Sequence, residues 1–143
     1  MAELVRAPID VAKLVADASR PDCGAVSLFI GNSRDHSEGR RVTRLEYEAY
    51  EPMAVAALEQ LERDARKQFK IATCRIVHRL GEVPLAEASV AVVVAAAHRQ
   101  PAFDACQWAM NELKRTAVIW KKEFFAEGGG EWVKGTPLAP KPN

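Results

Sequence analysis

Basic side chains at the ends of predicted elements are the residues here whose types and setting fit a definite chemistry, the holding of an anion: Arg34, His98, Arg99, Lys114 and Lys121. Arg34, with His36, falls in the polar run Gly31–Gly39 after an apolar stretch, and loops at strand ends are where function concentrates. A solvated turn explains that loop by itself rather better. His98 and Arg99 end a long apolar run, and Pro101 then opens a helix whose free N–H groups add partial positive charge. That makes an anion cradle, although a pair that only solubilises the turn serves equally well. Lys114 falls in the last turn of that helix, where a cation also complements the helix dipole. Lys121 lies in Trp120-Lys-Lys-Glu123, where lysines also guard edge strands. Strand alternation points Lys121 and Lys122 to opposite faces, so at most one of them shares a site with Lys114.

Other chemistries find no footing. The chain has no GxxxxGK[ST], HExxH or GxSxG string, and His36, His78 and His98 are too scattered for a metal site by spacing, so neither metal nor cofactor is expected. Cys23, Cys74 and Cys106 form no CxxC pair and each sits in an apolar stretch, which reads as idle thiols in a reducing compartment. Formal net charge is only +1, so no global field draws in nucleic acid or a membrane surface; anion recognition must come from a local cluster. Glu3 and Asp10 interrupt the N-terminal apolar run, arguing against a signal peptide, and no apolar run is long enough to cross a bilayer. With 48% hydrophobic and 27% charged residues over 143 positions, the expectation is a soluble, cytoplasmic protein with one well-packed core.

The elements that must position these cations follow from periodicity. Asp10 caps a short helix with the stripe Val11, Leu14, Val15, Ala18, which ends near Pro21. Gly24 opens a strand, Ala25–Ile30, followed by the surface turn Gly31–Gly39. Val42–Tyr50 alternates as a half-buried strand. Pro52 starts a helix with Ala54, Leu58, Leu61 and Ala65 on one face and Glu59, Arg63 and Lys67 solvated on the other. Ile71–Arg79 alternates again, placing Ala72, Cys74, Ile76 and His78 on one side. Gly81–Pro84 is a turn, and Ala88–Ala97 is the small and β-branched run of a central strand. A helix after Pro101 turns Phe103, Cys106, Met110, Leu113 and Ala117 inward. Val118–Phe125, a turn at Gly128–Gly130 and a returning strand Glu131–Lys134 form a C-terminal hairpin. Residues 1–135 thus read as one α+β domain, two longer helices against a largely antiparallel sheet, and 136–143, with Pro137, Pro140 and Pro142, as a disordered tail.

In order along the chain, Gly24-Ala-Val-Ser-Leu-Phe-Ile-Gly31 through Arg34-Asp-His36, Leu45-Glu-Tyr-Glu-Ala-Tyr-Glu-Pro-Met53, His78-Arg-Leu-Gly81, Ala97-His-Arg99 with Ala102-Phe-Asp-Ala-Cys106, and Leu113-Lys114 with Ile119-Trp-Lys-Lys-Glu-Phe124 resemble the large, catalytic subunit of molybdopterin synthase. The likeness runs from about Gly24 to Lys134. It implies an α/β-hammerhead fold and a central homodimer within a heterotetramer. A small ubiquitin-like sulfur-carrier subunit sits at each end and inserts a thiocarboxylated Gly-Gly tail into the large subunit. The implied reaction is sulfur transfer from that tail to cyclic pyranopterin monophosphate, giving the dithiolene of molybdopterin. Carried over by motif, Lys114 and Lys121 are the catalytic lysines and Arg34 the loop arginine. His98 and Arg99 reach in from the neighbouring protomer, and Phe29 lies beside the pocket. One departure is visible. Where better-known members can carry an arginine beyond the last strand's tryptophan, this chain reads Trp132-Val-Lys-Gly-Thr136, and Lys134 lacks the bidentate grip of arginine.

The resemblance and the cations meet in one fact: a pterin phosphate and a thiocarboxylate are both anions, and a desolvated cationic patch is needed to hold them together. Arg34 and Arg99 suit phosphate oxygens, and His98 can donate to the same group. Lys114, as the reacting centre, either moves a proton as a neutral amine or stabilises an oxyanion as a cation, the latter commonly a factor of about 10²–10³ in rate. The rival readings are a non-catalytic scaffold for a ubiquitin-like partner and an unrelated phosphate-binding enzyme. The presence of all these cations favours the active enzyme.

Overall fold

The computed structural model describes residues 2–116 and 119–133. In chain order it contains β1 (Glu3–Val5), α1 (Val11–Ala18), β2 (Ala25–Asn32), β3 (His36–Ser37), β4 (Arg40–Ala49), α2 (Glu51–Gln68), β5 (Thr73–Arg79), β6 (Gly81–Val83), β7 (Ala88–Ala96), α3 (Arg99–Thr116), β8 (Ile119–Phe125) and β9 (Gly130–Val133). Ala117, Val118, Lys134 and the expected disordered tail at 136–143 lie outside the described residues. No helix among the described residues is long and apolar enough to cross a membrane.

The strands form two sheets. The first has the order β1-β5-β7-β2 and is antiparallel except for the β1–β5 pair. β7 is central, and its residues Ser89–Ala96 are all buried, because both faces are covered. On one face Val92 and Val94, with Ile76 of β5, pack against Leu58 and Leu61 of α2 and Ala105, Ala109 and Leu113 of α3. On the other face Ala91, Val93 and Ala95 pack under Leu14 and Ala18 of α1. A strand buried on both sides has no reason to alternate, which is why the sequence there is a continuous apolar run. The second sheet has the order β3-β4-β8-β9, and β6 pairs with β4.

Several expectations need correction. The segment Gly31–Gly39 is not simply a surface turn. β2 continues to Asn32 through a register irregularity, and His36–Ser37 pairs with Arg40–Arg41 as a small hairpin. Its two-residue loop, Glu38 and Gly39, has φ of 51° and 79°, the positive-φ pair that matches the twist of antiparallel strands. Gly81–Pro84 likewise supplies a strand, β6, against Leu45–Tyr47. Phe103 is 58% exposed rather than inward, because the buried stripe of α3 runs through Ala102, Cys106, Ala109 and Leu113. Glu59 is half-buried rather than solvated.

Glu62 is buried within α2 at 1% exposure, and its carboxylate accepts the Ile76 N–H of β5 at 2.7 Å, tying helix to sheet. Glu62→Ala leaves a buried N–H unmatched and is expected to lower stability by about 2 kcal/mol, or Tm by about 4–8 °C, in a thermal melt.

Candidate active site

A cavity of about 450 Å³ opens where the two sheets and the end of α3 meet. Its wall takes Phe29 from β2, His78 from β5, Tyr47 from β4, Lys114 from α3, and Lys121 and Glu123 from β8, with Ser33 and Arg34 from the segment after β2. Each arrives for a local reason. Ile119, Glu123 and Phe125 are buried, so alternation on β8 turns Lys121 to the same inner face. Lys122 faces the other way, its Nζ 5.1 Å from the ring centre of Phe124 and 5.6 Å from that of Trp132. Lys114 follows the buried Leu113 in the last turn of α3 and is exposed at the cavity edge. Arg34 is held by the backbone around it, where Ser33 N–H donates to Glu87 O at 3.0 Å and Ala86 N–H donates to Ser33 O at 2.8 Å.

The electrostatics are those of a crowded cationic site with one internal counter-charge. Burial holds the Lys121 ammonium below the ordinary lysine pKa; nearby Glu123 opposes this, and the positive charges of Lys114 and Arg34 add to it. Lys121 Nζ stands 4.0 Å from Glu123 Oε2, a loose ion pair. Near the cavity edge, His36 lies 3.0 Å from Asp35 and keeps the Asp35 carboxyl below its usual range. Burial raises the Tyr47 phenol, opposed by a hydrogen bond with Ser89. His78 is largely buried, and loss of solvation pushes its imidazole down to about 4, so it is neutral near neutral pH. No group of three or more His, Cys, Asp or Glu side chains gathers as a metal site among the described residues.

The fold therefore brings Phe29, Arg34, Lys114 and Lys121 to one cavity from four separate stretches of chain. His98 and Arg99 are not among them. Both are exposed beyond the far end of β7, whose near end supplies Ser89 to the cavity, and Ser89 and Ala96 are separated by about 23 Å of strand. Sequence reading missed Glu123, Tyr47, His78 and Ser33 as site residues. For Glu123 a signal existed, since alternation puts it on the face of Lys121; for Ser33 there was none.

Beyond Phe29, Met110 and Lys114, which also line the first cavity, a second groove of about 490 Å³ runs along β2 and α3, with Leu28, Phe103 and Cys106 in its wall. Val26, Leu28, Phe29 and Ile30, at 36–40% exposure, make this outer strand of the first sheet apolar and open.

Comparison with known proteins gives a consistent picture. A family model described as "MoaE protein" matches residues 4–116. The molybdopterin synthase catalytic subunit of Culex quinquefasciatus is 41% identical over 127 residues, covering 87% of this chain and 81% of that protein. The Bacillus subtilis protein of the same name is 37% identical, covering 92% and 83%. Among solved structures, molybdopterin synthase from Staphylococcus aureus superposes with a TM-score of 0.87 at 32% identity, covering 92% of this chain and 95% of that one. A complex of subunits 1 and 2 of molybdopterin-converting factor from Helicobacter pylori, at 18% identity and a TM-score of 0.75, shares the fold.

Two outcomes follow from the charges. Arg34→Ala and Lys114→Ala should each move the titration midpoint of Lys121 upward, as read by NMR of its side chain, and an unchanged midpoint would show the cations to be uncoupled. For His78, an imidazole at about 4 in the folded protein and 6.5 when unfolded means that the unfolded chain binds the proton first as pH falls. Stability should drop between pH 6.5 and 4 by up to about 3 kcal/mol, and denaturant unfolding of His78→Phe should lack that component.

Proposed function

The chain belongs to the MoaE protein family, and from that premise we propose that it is the catalytic subunit of a molybdopterin synthase. It transfers sulfur from the thiocarboxylated C-terminus of a small ubiquitin-like subunit to cyclic pyranopterin monophosphate, a step of molybdenum cofactor biosynthesis. The observation that carries this reading is the convergence of Arg34, Lys114 and Lys121 on one cavity. Such a site neutralises two mutually repelling anions and orients them for reaction.

Within it Arg34 grips the phosphate through paired N–H donors. Lys121, partly desolvated and crowded by positive charge, is suited to exchange a proton during sulfur transfer. Lys114, at the cavity edge, stabilises negative charge on the tail's carbonyl oxygen. Phe29 forms an apolar wall between the cavity and the adjoining groove.

His98 and Arg99 lie beyond the far end of β7, too far to serve their own cavity, and complete that of a second copy, in a homodimer at the centre of a heterotetramer. The open, apolar edge of β2 supports that assembly, since such an edge calls for cover. The cytoplasm is the matching compartment, supported by three free cysteines.

The test is reconstitution with a thiocarboxylated partner and the cyclic pterin, with product followed by mass. The parent protein should form molybdopterin. Lys114→Ala should lose at least about 10²-fold in rate while still binding the partner and forming the dimer. Near-normal turnover in that variant would remove Lys114 from the mechanism. Partner binding with no turnover by the parent would instead favour the scaffold reading.

A further inference from the structure

The cations account for the anionic ends of both reactants but leave unassigned the uncharged polar groups of the same cavity. His78 is the most constrained of these. Its ring lines the cavity although the residue is only 5% exposed. Nδ1 lies 2.9 Å from the carbonyl oxygen of Arg79, and a carbonyl only accepts, so Nδ1 carries the hydrogen. In a neutral imidazole the other nitrogen, Nε2, is then an acceptor with no proton to give. Tyr47 packs edge-on against the ring, with centroids 5.0 Å apart, and fixes its tilt. No hydrogen bond to Nε2 comes from any of the described residues. An acceptor of a mostly buried residue that lines a cavity and has no partner among the described residues calls for an explanation.

We propose that His78 is a specificity-determining residue that accepts a hydrogen bond at Nε2 from a ring N–H of the bound pterin. This rests on reading the cavity as the pterin site. A neutral lone pair cannot hold a phosphate or a thiocarboxylate, whose oxygens are themselves acceptors, so its ligand must present a donor. The carboxylate in the wall, Glu123, already faces Lys121. A reduced pterin carries several N–H donors on one fused bicycle, and a site built to receive one of them rejects analogues that lack it far more strongly than an apolar wall would.

The test uses the full chain and two probes, an unphosphorylated reduced pterin and inorganic phosphate, in binding titrations. His78→Phe keeps a ring and removes the acceptor. It should weaken pterin binding by about tenfold or more and leave phosphate binding within about twofold. In the unmodified protein the ¹⁵N resonance of Nε2 should move on saturation with pterin, a readout that needs no variant to fold. Equal pterin affinity in a folded His78→Phe, or an unmoved Nε2 resonance at saturation, overturns the role of His78 alone. Absence of pterin uptake by the unmodified protein overturns the reading of the cavity as well.

Discussion

Like charges repel, and Arg34, Lys114 and Lys121 share a cavity in spite of it. In water three flexible cations would drift apart. Here the fold supplies the restraint: Lys121 and Lys114 are rooted in elements with packed inner faces, and Arg34 follows Ser33, whose backbone is bonded to Glu87 and Ala86. Lys121 follows from the inward face of β8, where Ile119 and Phe125 are packed. Lys114 is the residue after Leu113, which closes the buried stripe of α3. Glu123 partly offsets the repulsion, but at 4.0 Å it is too loose a partner to quench the site. The unspent positive potential is what a doubly anionic reaction requires.

That restraint depends on close packing between α3 and the first sheet. Ala102, Ala105 and Ala109 are essentially unexposed, and they bring the helix against a strand that is itself rich in Ala and Val. Small side chains on both surfaces shorten the distance between helix and strand. The last turn of α3 thereby lies at the seam between the two sheets, where β8 and β4 carry Lys121 and Tyr47. A bulkier side chain at Ala105 would push the helix outward and take Lys114 with it.

Much of this was legible in the sequence. The continuous run at Ala88–Ala97 reads correctly as a central strand, because burial on two faces leaves a composition signal, and Asp10 caps α1 through the Lys13 N–H as its position suggests. Alternation alone separates Lys121 from Lys122. What was hidden is tertiary. β3 and β6 span two and three residues, too short to show a period, and exist because β4 offers them an edge. Phe103 is apolar and lies on a helix, but only the angle of α3 to the sheet decides that it faces out. The neutrality of His78 comes from enclosure by several elements, which no spacing in the chain reveals.

β7 has a further consequence. It delivers Ser89 to the cavity at one end and, past Ala97, leads into His98 and Arg99 at the other, without an intervening loop. An extended strand in the middle of a packed sheet does not stretch, so it acts as a ruler of fixed length. If its far end completes the cavity of a second copy, the two cavities of the pair stand at a spacing set by the backbone itself. An insertion within β7 would then damage both at once, and no adjustment of side chains at either end would restore the fit.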